Sequence, residues 1–262
     1  MCEREVDGSR SLRELQDKLI RLAILAGERL TRALKAVEAL DPELARTVLP
    51  SDPTITSLQA AIEDEVHVLF LEGEEMAEST RRFLVSLPVL GSELRLLSEE
   101  AQELARLVVW LGTSAGHAGQ DDGEERQWPE TIARQGEQLA GFGHQMSASA
   151  MAVALALAEQ DTQGAQRLWR QQRRLQHELT RLQRSLLLMT PAGSLTSTGT
   201  NAPGQRWIAY LSALALLLKR ISSHYATLCE RIIFVVEGVR SMRLLQRLEA
   251  RLLVDRRQEP AQ

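Results

Sequence analysis

One stretch of the sequence places hydroxyl and imidazole side chains next to one another. Ser222, Ser223 and His224 are consecutive, and a serine activated by a histidine is a common nucleophile in hydrolases. Adjacent residues on a helix point about 100° apart, so these side chains would not face each other. Because the sequence also contains no Walker A motif and no G-x-G-x-x-G motif, it predicts a protein that is not an enzyme.

Histidine and carboxylate residues also occur at helical spacing in one segment. Glu63, Asp64 and His67 form part of a ferritin-type set, but a di-iron site of that type needs two such sets on facing helices. No second copy is present. The two cysteines, Cys2 and Cys229, are too few for a disulfide framework or a cysteine zinc site. The residues therefore predict free thiols, no metal ligands and no cofactor.

Arginine residues form two stripes at helical spacing. In residues 161–189 the arginines fall within an arc of about 120°, and the leucines occupy a different arc. Such a stripe fits either a solvated helix face or a face that docks on an acidic partner. Nucleic acid is disfavoured because the net charge is −4 and aromatic residues are not interleaved. The candidate partner-facing residues are Arg167, Arg170, Arg174, Arg181, Arg240, Arg243 and Arg247.

The composition of the 262 residues favours an all-α fold. Apolar residues make up 44% and charged residues 25%, which is ordinary for a globular protein with a sizeable core. Aromatic residues are only 4%, while Leu, Ala, Arg, Gln and Glu are abundant, and these are helix-forming residues. The charged start of the chain and the lack of an apolar run of about 20 residues predict no signal peptide and no membrane span. We therefore expect a cytoplasmic protein.

Apolar periodicity and helix breakers divide the chain into six main helices. The predicted helices span residues 12–40, 42–71, 75–111, 129–160, 161–189 and 205–256. Pro50 and Pro53 interrupt the second helix near its start, and Gly238 is a weak point in the last. Pro88 either kinks the third helix or begins a new one.

The two halves of the chain share a register. Asp41 to Ala45 and Asp161 to Ala165 both read D-x-x-x-A, and the same offset continues without a gap to Ile62 and Leu182. A duplicated unit must bury an apolar face in each copy. We therefore predict two tandem three-helix bundles, residues 10–111 and 129–257, joined by a linker at 112–128.

Residues 216–239, LLLKRISSHYATLCERIIFVVEGV, resemble the final helix of PhoU proteins. The family pattern there is approximately L-E-R-I-x-D-H-A-T-N-I-A-E-x-V-I-Y-x-V-E-G. The residues that match it without a gap are Leu218, Arg220, Ile221, His224, Glu230, Ile233, Val236, Glu237 and Gly238. The D-x-x-x-A repeats and the pair Ala77 and Arg81 are similar to the family as well. The resemblance extends over about residues 12–238.

The resemblance implies metal-binding positions in the second half, and the chain departs from the family there. PhoU helices carry E-x-x-x-D pairs, which place two carboxylates on one helix face where they bridge metal ions. Lys219 and Ser223 occupy these two positions, beside the retained Arg220 and His224. A lysine ammonium has no lone pair for a metal, so the motif is degenerate in this half.

The first half aligns in two alternative ways. With one inserted residue, Arg95 and Glu99 take the positions of the acidic pair, and they would form an ion pair of about 0.2–0.5 kcal/mol. If Pro88 begins the helix instead, the positions fall near Leu107 and Leu111. No acidic pair at this spacing survives in either alignment, so we expect no metal in this half.

The PhoU resemblance also implies a function. It implies a non-catalytic regulator that couples the ATPase of a phosphate ABC transporter to a sensor histidine kinase and restrains the phosphate-starvation response. The chain would do so by presenting helix faces to these proteins, and a homodimer is compatible with that role. Two other interpretations stay open at this point: a metal-binding helical bundle, and a structural coiled-coil adaptor unrelated to phosphate.

Overall fold

The computed structural model describes residues 2–72, 76–115, 130–189 and 203–238, and these residues are almost entirely helical. The helices are α1 (Cys2–Ala39), α2 (Pro42–Val48), α3 (Pro53–Glu72), α4 (Glu78–Ala115), α5 (Glu130–Glu159), α6 (Thr162–Leu188) and α7 (Pro203–Glu237). The predicted all-α fold is confirmed, with α2 and α3 together forming the second of the six main helices. No helix in these ranges is long and apolar enough to span a membrane.

The break between α2 and α3 is stabilised by side chains from two other helices. Pro50 lies in the break, and proline can neither donate a backbone hydrogen bond nor continue the preceding turn. The buried Arg29 guanidinium of α1 donates to the carbonyls of Val48, at 2.7 Å, and of Pro50. Gln102 of α4 donates to the Leu49 carbonyl at 3.1 Å. The carbonyls released at the break therefore keep hydrogen-bond partners.

The helix ends resolve two points that the sequence left open. Helix α4 is continuous through Pro88, so this proline does not begin a helix, and α4 reaches Ala115, so the first residues of the predicted linker are helical. Helix α7 stops before Gly238, whose φ of +70° is a left-handed conformation that favours glycine. The Arg82 side chain also donates to the Val235 carbonyl at 3.4 Å, near the end of α7.

The D-x-x-x-A repeat marks the same helix junction in both halves. Leu40 and Gln160 are left-handed, with φ of 48° and 54°. The N–H groups of the next residues, Asp41 and Asp161, donate to alanine carbonyls five residues earlier at 3.0 and 3.1 Å, as in a Schellman motif. Each Asp side chain then caps the following helix by accepting from backbone N–H groups in its first turn. The alanine four residues further on is fully buried in both halves.

Glycine is expected to be more stable than glutamine at the left-handed position of the second junction. Gln160→Gly removes the steric cost of left-handed backbone, and we expect the free energy of unfolding to rise by about 0.5–1 kcal/mol. Urea denaturation followed by circular dichroism measures this change. Glu159→Gly, one residue earlier at the last helical position of α5, is the matched control and should lower the same quantity by about 0.5 kcal/mol. Equal losses in both variants would contradict the left-handed conformation.

Helices from both halves share one hydrophobic core. Helices α1, α4, α7 and α5 form a ring in which each packs against the next, α2 and α3 cover α1 and α4, and α6 packs mainly on α7. Leu22 of α1, Leu97 of α4, Met146 of α5 and Tyr225 of α7 all belong to the same buried cluster. The contact between α4 and α7 therefore lies between the two halves of the chain, and it positions the candidate site.

Candidate functional site

Helices α4 and α7 run antiparallel and bring four charged side chains together. Glu93 and Glu100 lie about two turns apart on α4, and Arg220 and His224 lie one turn apart on α7. His224 Nδ1 is 2.7 Å from Glu93 Oε2, and Arg220 Nη2 is 2.6 Å from Glu100 Oε1. His224 Nε2 is also 3.7 Å from Glu100 Oε1. We name these four residues the charge cluster, and it connects the two halves of the chain.

Three members of the charge cluster are largely buried, with Glu100 the most buried, whereas the Arg220 side chain is 55% exposed. The Glu100 side chain is 1% exposed, and its Oε2 atom has no hydrogen-bond partner among the described residues. A buried carboxylate is costly unless a cation balances its charge. Burial lowers the pKa of His224, but the Glu100 and Glu93 carboxylates outweigh that effect and raise it to about 9. His224 is therefore protonated at neutral pH, and two cations balance two anions.

Arg95 and Glu99 take the place of the family's acidic pair in the alignment with one inserted residue, and they form the ion pair expected from it. Arg95 Nη1 contacts Glu99 Oε1 one turn away on α4, and Glu99 is exposed. The other alignment, which reaches Leu107 and Leu111, requires a helix that begins at Pro88, and Pro88 lies inside α4. Arg95 therefore neutralises the carboxylate that remains in this motif.

Lys219 and Ser223 occupy the metal-binding positions implied for the second half, and neither carries a carboxylate. The Ser223 hydroxyl donates to the Lys219 carbonyl at 3.1 Å. Gln176 Nε2 of α6 lies 3.4 Å from the same hydroxyl and donates to it. The pair thus offers one hydroxyl and one ammonium where the PhoU resemblance implies two carboxylates.

These residues do not fit the metal ions that the resemblance implies. Hard and borderline cations need several oxygen or nitrogen lone pairs, whereas Arg95 and Lys219 contribute positive charge. Across the part of the chain that the structure describes, no three His, Cys, Asp or Glu side chains are placed to hold a metal ion. The carboxylates of the charge cluster are already paired with Arg220 and His224. The site is therefore built for ion pairing among side chains.

Two carboxylates introduced on α7 are expected to recover some metal affinity. Lys219→Glu with Ser223→Asp restores the acidic pair one turn apart and removes a repulsive ammonium. We expect Mn²⁺ or Zn²⁺ binding by isothermal titration calorimetry in this double variant. Lys219→Gln with Ser223→Asn is the matched neutral control and should bind neither ion. Absence of binding in the acidic variant would show that the surroundings, including Gln176, exclude the ion.

The serine and histidine side chains are not arranged for nucleophilic chemistry. Ser222 is buried, and its hydroxyl donates to the Gln172 carbonyl at 3.0 Å, whereas His224 faces Glu93. Residues 112–116, GTSAG, have the G-x-S-x-G spacing of a nucleophile elbow, a motif that requires a strand-to-helix turn. In this chain the first four of these residues complete helix α4. The described residues thus provide no activated serine.

The remaining metal and thiol candidates are dispersed. Glu63, Asp64 and His67 are exposed on α3. The Cys229 thiol is free and buried, and burial raises its pKa to about 12, so it stays protonated. The side chain of Cys2 lies outside the part of the chain whose side chains are described.

The arginine stripe of α6 lies on the face away from the core. Arg167, Arg174 and Arg181 are exposed and Arg170 is half-buried. The leucines on the opposite face are buried, namely Leu168, Leu175, Leu179, Leu182 and Leu186. The second stripe, with Arg240, Arg243 and Arg247, lies outside the described residues.

Helices α1 and α5 also form an open apolar groove that the sequence did not reveal. The groove has a volume of about 480 Å³, and the exposed Ile24 and Met151 contribute to its lining. Its floor is formed where Gly27 meets Ala150, and a Cβ atom at Gly27 would lie 3.0 Å from the Ala150 Cβ. Small residues at both positions allow this close approach, but their spacing alone carries no signal of a groove.

The fold and sequence are similar to those of PhoU proteins. Residues 19–108 match the PhoU domain family. The crystal structure of PhoU from Pseudomonas aeruginosa is similar with a TM-score of 0.71 and 19% identity, covering 88% of this chain and 99% of that one. The phosphate transport system regulatory protein PhoU from Streptococcus pneumoniae is similar with a TM-score of 0.64 and 18% identity, covering 88% and 98%.

No curated protein sequence matches the chain. The match to the family model lies in the first half of the chain. The clearest resemblance to the family's sequence motif lies in α7, in the second half. Residues 19–108 therefore match the PhoU domain family, and the chain has the fold of the PhoU crystal structures over most of its length.

Proposed function

We propose that this chain is a non-catalytic regulator of phosphate uptake and of the response to phosphate starvation. The observation that carries the proposal is the PhoU fold across both halves, which the chain shares with a phosphate transport system regulatory protein. Arg95 and Lys219 stand at the positions where that resemblance implies metal ligands. Regulation in this chain therefore works through helix surfaces and their contacts with other proteins.

The proposed partners are the ATPase of a phosphate ABC transporter and a sensor histidine kinase. Both are implied by the PhoU resemblance, and contact with their cytoplasmic parts requires the chain to act in the cytoplasm. The proposed domains are the two three-helix bundles, residues 10–111 and 129–257, with residues 112–128 between them. A regulator of this kind transmits a signal by binding and needs no catalytic group.

We assign partner contact to the arginine stripe of α6, residues Arg167, Arg170, Arg174 and Arg181. These guanidinium groups lie along the outer face of one helix. Complementary charge accelerates association and selects among partners, so an acidic surface on the transporter ATPase or the kinase is the expected counterpart. We also propose Arg240, Arg243 and Arg247 as partner-facing residues, from their spacing in the sequence alone.

Charge reversal on α6 is expected to weaken partner capture. Arg174→Glu with Arg181→Glu should reduce recovery of the transporter ATPase or the kinase with the tagged chain by about tenfold or more at moderate salt. Arg13→Glu with Arg21→Glu, on the exposed face of α1, changes the net charge equally and is the matched control. Equal recovery with both variants would contradict the assignment of the stripe.

A genetic experiment tests the proposed function itself. Cells that lack the chain should express a phosphate-starvation reporter at high external phosphate, and the wild-type chain should repress it again. Unchanged reporter expression and unchanged phosphate uptake in the deletion strain would contradict the proposed function and favour a structural adaptor.

A further inference from the structure

Helices α5 and α6 line a shallow concavity that carries three arginines and one carboxylate. Its volume is about 370 Å³. The lining residues that carry the argument are Gln145 of α5 and Arg167, Arg170, Gln171, Arg174 and Glu178 of α6. The arginines are spaced three and four residues apart, so they share one face of α6 over about two turns.

The three arginines are poorly neutralised by the rest of the described chain. Arg167 Nη2 lies 3.7 Å from Asp161 Oδ2, which is an ion-pair distance but longer than a hydrogen bond. The Arg170 Nε atom is fully enclosed and has no hydrogen-bond partner among the described residues. An enclosed donor without a partner is unfavourable, and neighbouring like charges repel one another. A bound anion would relieve both effects.

The side chains that line the concavity favour one class of anion. Guanidinium groups present paired N–H donors that match the oxygens of phosphate, and amide groups such as Gln145 and Gln171 add neutral donors. The named lining residues include no aromatic side chain on which a base would stack. We propose that Arg167, Arg170 and Arg174, with Gln145, form a binding site for a phosphoryl group. The proposal goes beyond the regulatory role above and does not depend on the identity of the protein partners.

Two sources could supply this group, and direct binding distinguishes them. Isothermal titration calorimetry at low ionic strength would use inorganic phosphate in one arm and a phosphate monoester, phenyl phosphate, in the other. Saturable binding of inorganic phosphate would identify the free ion as the ligand. Binding of the monoester alone would identify a phosphoryl group carried by another molecule. Saturable binding of neither probe by the wild-type chain would overturn the proposal.

Single substitutions test whether binding occurs at the concavity. Arg170→Gln should weaken binding by about tenfold or more, because it removes a charged donor from the site. Arg174→Gln, at an exposed position, should weaken binding as well and provides a second test if Arg170→Gln does not fold. Arg184→Gln, further along the same helix and outside the concavity, should leave affinity unchanged. Affinity equal to that of the wild-type chain in all three variants would overturn the proposed site. Undiminished partner capture by Arg174→Glu with Arg181→Glu, with phosphate binding confirmed in the wild-type chain, would count only against the partner surface.

Discussion

Arg220→Ala is expected to lower the free energy of unfolding by about 2–4 kcal/mol, because it leaves a buried carboxylate without its nearest cation. Glu100 is 1% exposed and lies 2.6 Å from Arg220. Its other carboxylate oxygen has no hydrogen-bond partner among the described residues, so the variant would keep only the longer contact with His224. His224, at 3.7 Å, keeps part of the attraction and limits the loss. Urea denaturation at pH 7 measures this difference.

A double-mutant cycle separates the ion pair from other effects of truncation. In the background of Glu100→Gln, the buried charge is gone, so Arg220→Ala should cost much less, with a coupling of about 1–3 kcal/mol. Arg106→Ala breaks a surface pair with Glu103 on α4 and is the matched control, with an expected loss below about 0.5 kcal/mol. Equal losses for Arg220→Ala and Arg106→Ala would show that the charge cluster does not stabilise the fold.

The second large effect is a loss of stability as pH rises past neutrality. The pKa of His224 is about 9 in the folded chain, whereas the ordinary pKa of a histidine, which we take for the unfolded chain, is 6.5. A group whose pKa is raised by folding stabilises the protein fully below the lower value and loses that contribution as pH rises through the higher one. We therefore expect stability to fall between about pH 6.5 and pH 9, by about 3 kcal/mol in total.

The pH dependence is expected to belong to His224 alone. His224→Gln should be less stable than the wild-type chain at pH 7 and should show a nearly flat profile across the same range. The charged groups that face this imidazole or share its carboxylate partner are Glu93, Glu100 and Arg220. His177→Gln, at an exposed position on α6, should leave the wild-type slope unchanged. The same slope in His224→Gln would contradict the pKa assigned to His224.

The sequence predicted the features that depend on local spacing. Apolar periodicity located the helices, and Asp41 and Asp161 marked equivalent junctions because capping needs a particular side chain at a particular position. The same periodicity placed the arginines of α6 away from its buried leucines. These signals arise within one or two helical turns, so a single sequence contains them.

The charge cluster could not be predicted from the sequence, because its ion pairs form only where two helices far apart in the chain pack together. Glu93 and Glu100 have the spacing of a solvated acidic face, and only the antiparallel contact with α7 places them against Arg220 and His224. Arg29 was missed for a similar reason, since its partners are carbonyls in a break about 20 residues away. Pro50 predicted the break itself but carried no information about what stabilises it.

The positions that depart from the PhoU motif are close in sequence to members of the charge cluster. Where the resemblance implies metal ligands, Arg95 pairs with Glu99 and Lys219 supplies a cation on α7. The contact between the halves combines a shared hydrophobic core with the ion pairs of the charge cluster. We conclude that ion pairing within the charge cluster, without a metal ion, stabilises the contact between the two halves of this PhoU fold.

The metal content of the purified chain tests this claim most directly. The chain should be purified without chelators and measured by inductively coupled plasma mass spectrometry, alongside Glu93→Gln and Glu100→Gln. We expect iron, manganese and zinc far below one ion per chain in all three proteins. One or more ions per wild-type chain, lost on replacing Glu93 or Glu100, would contradict the claim.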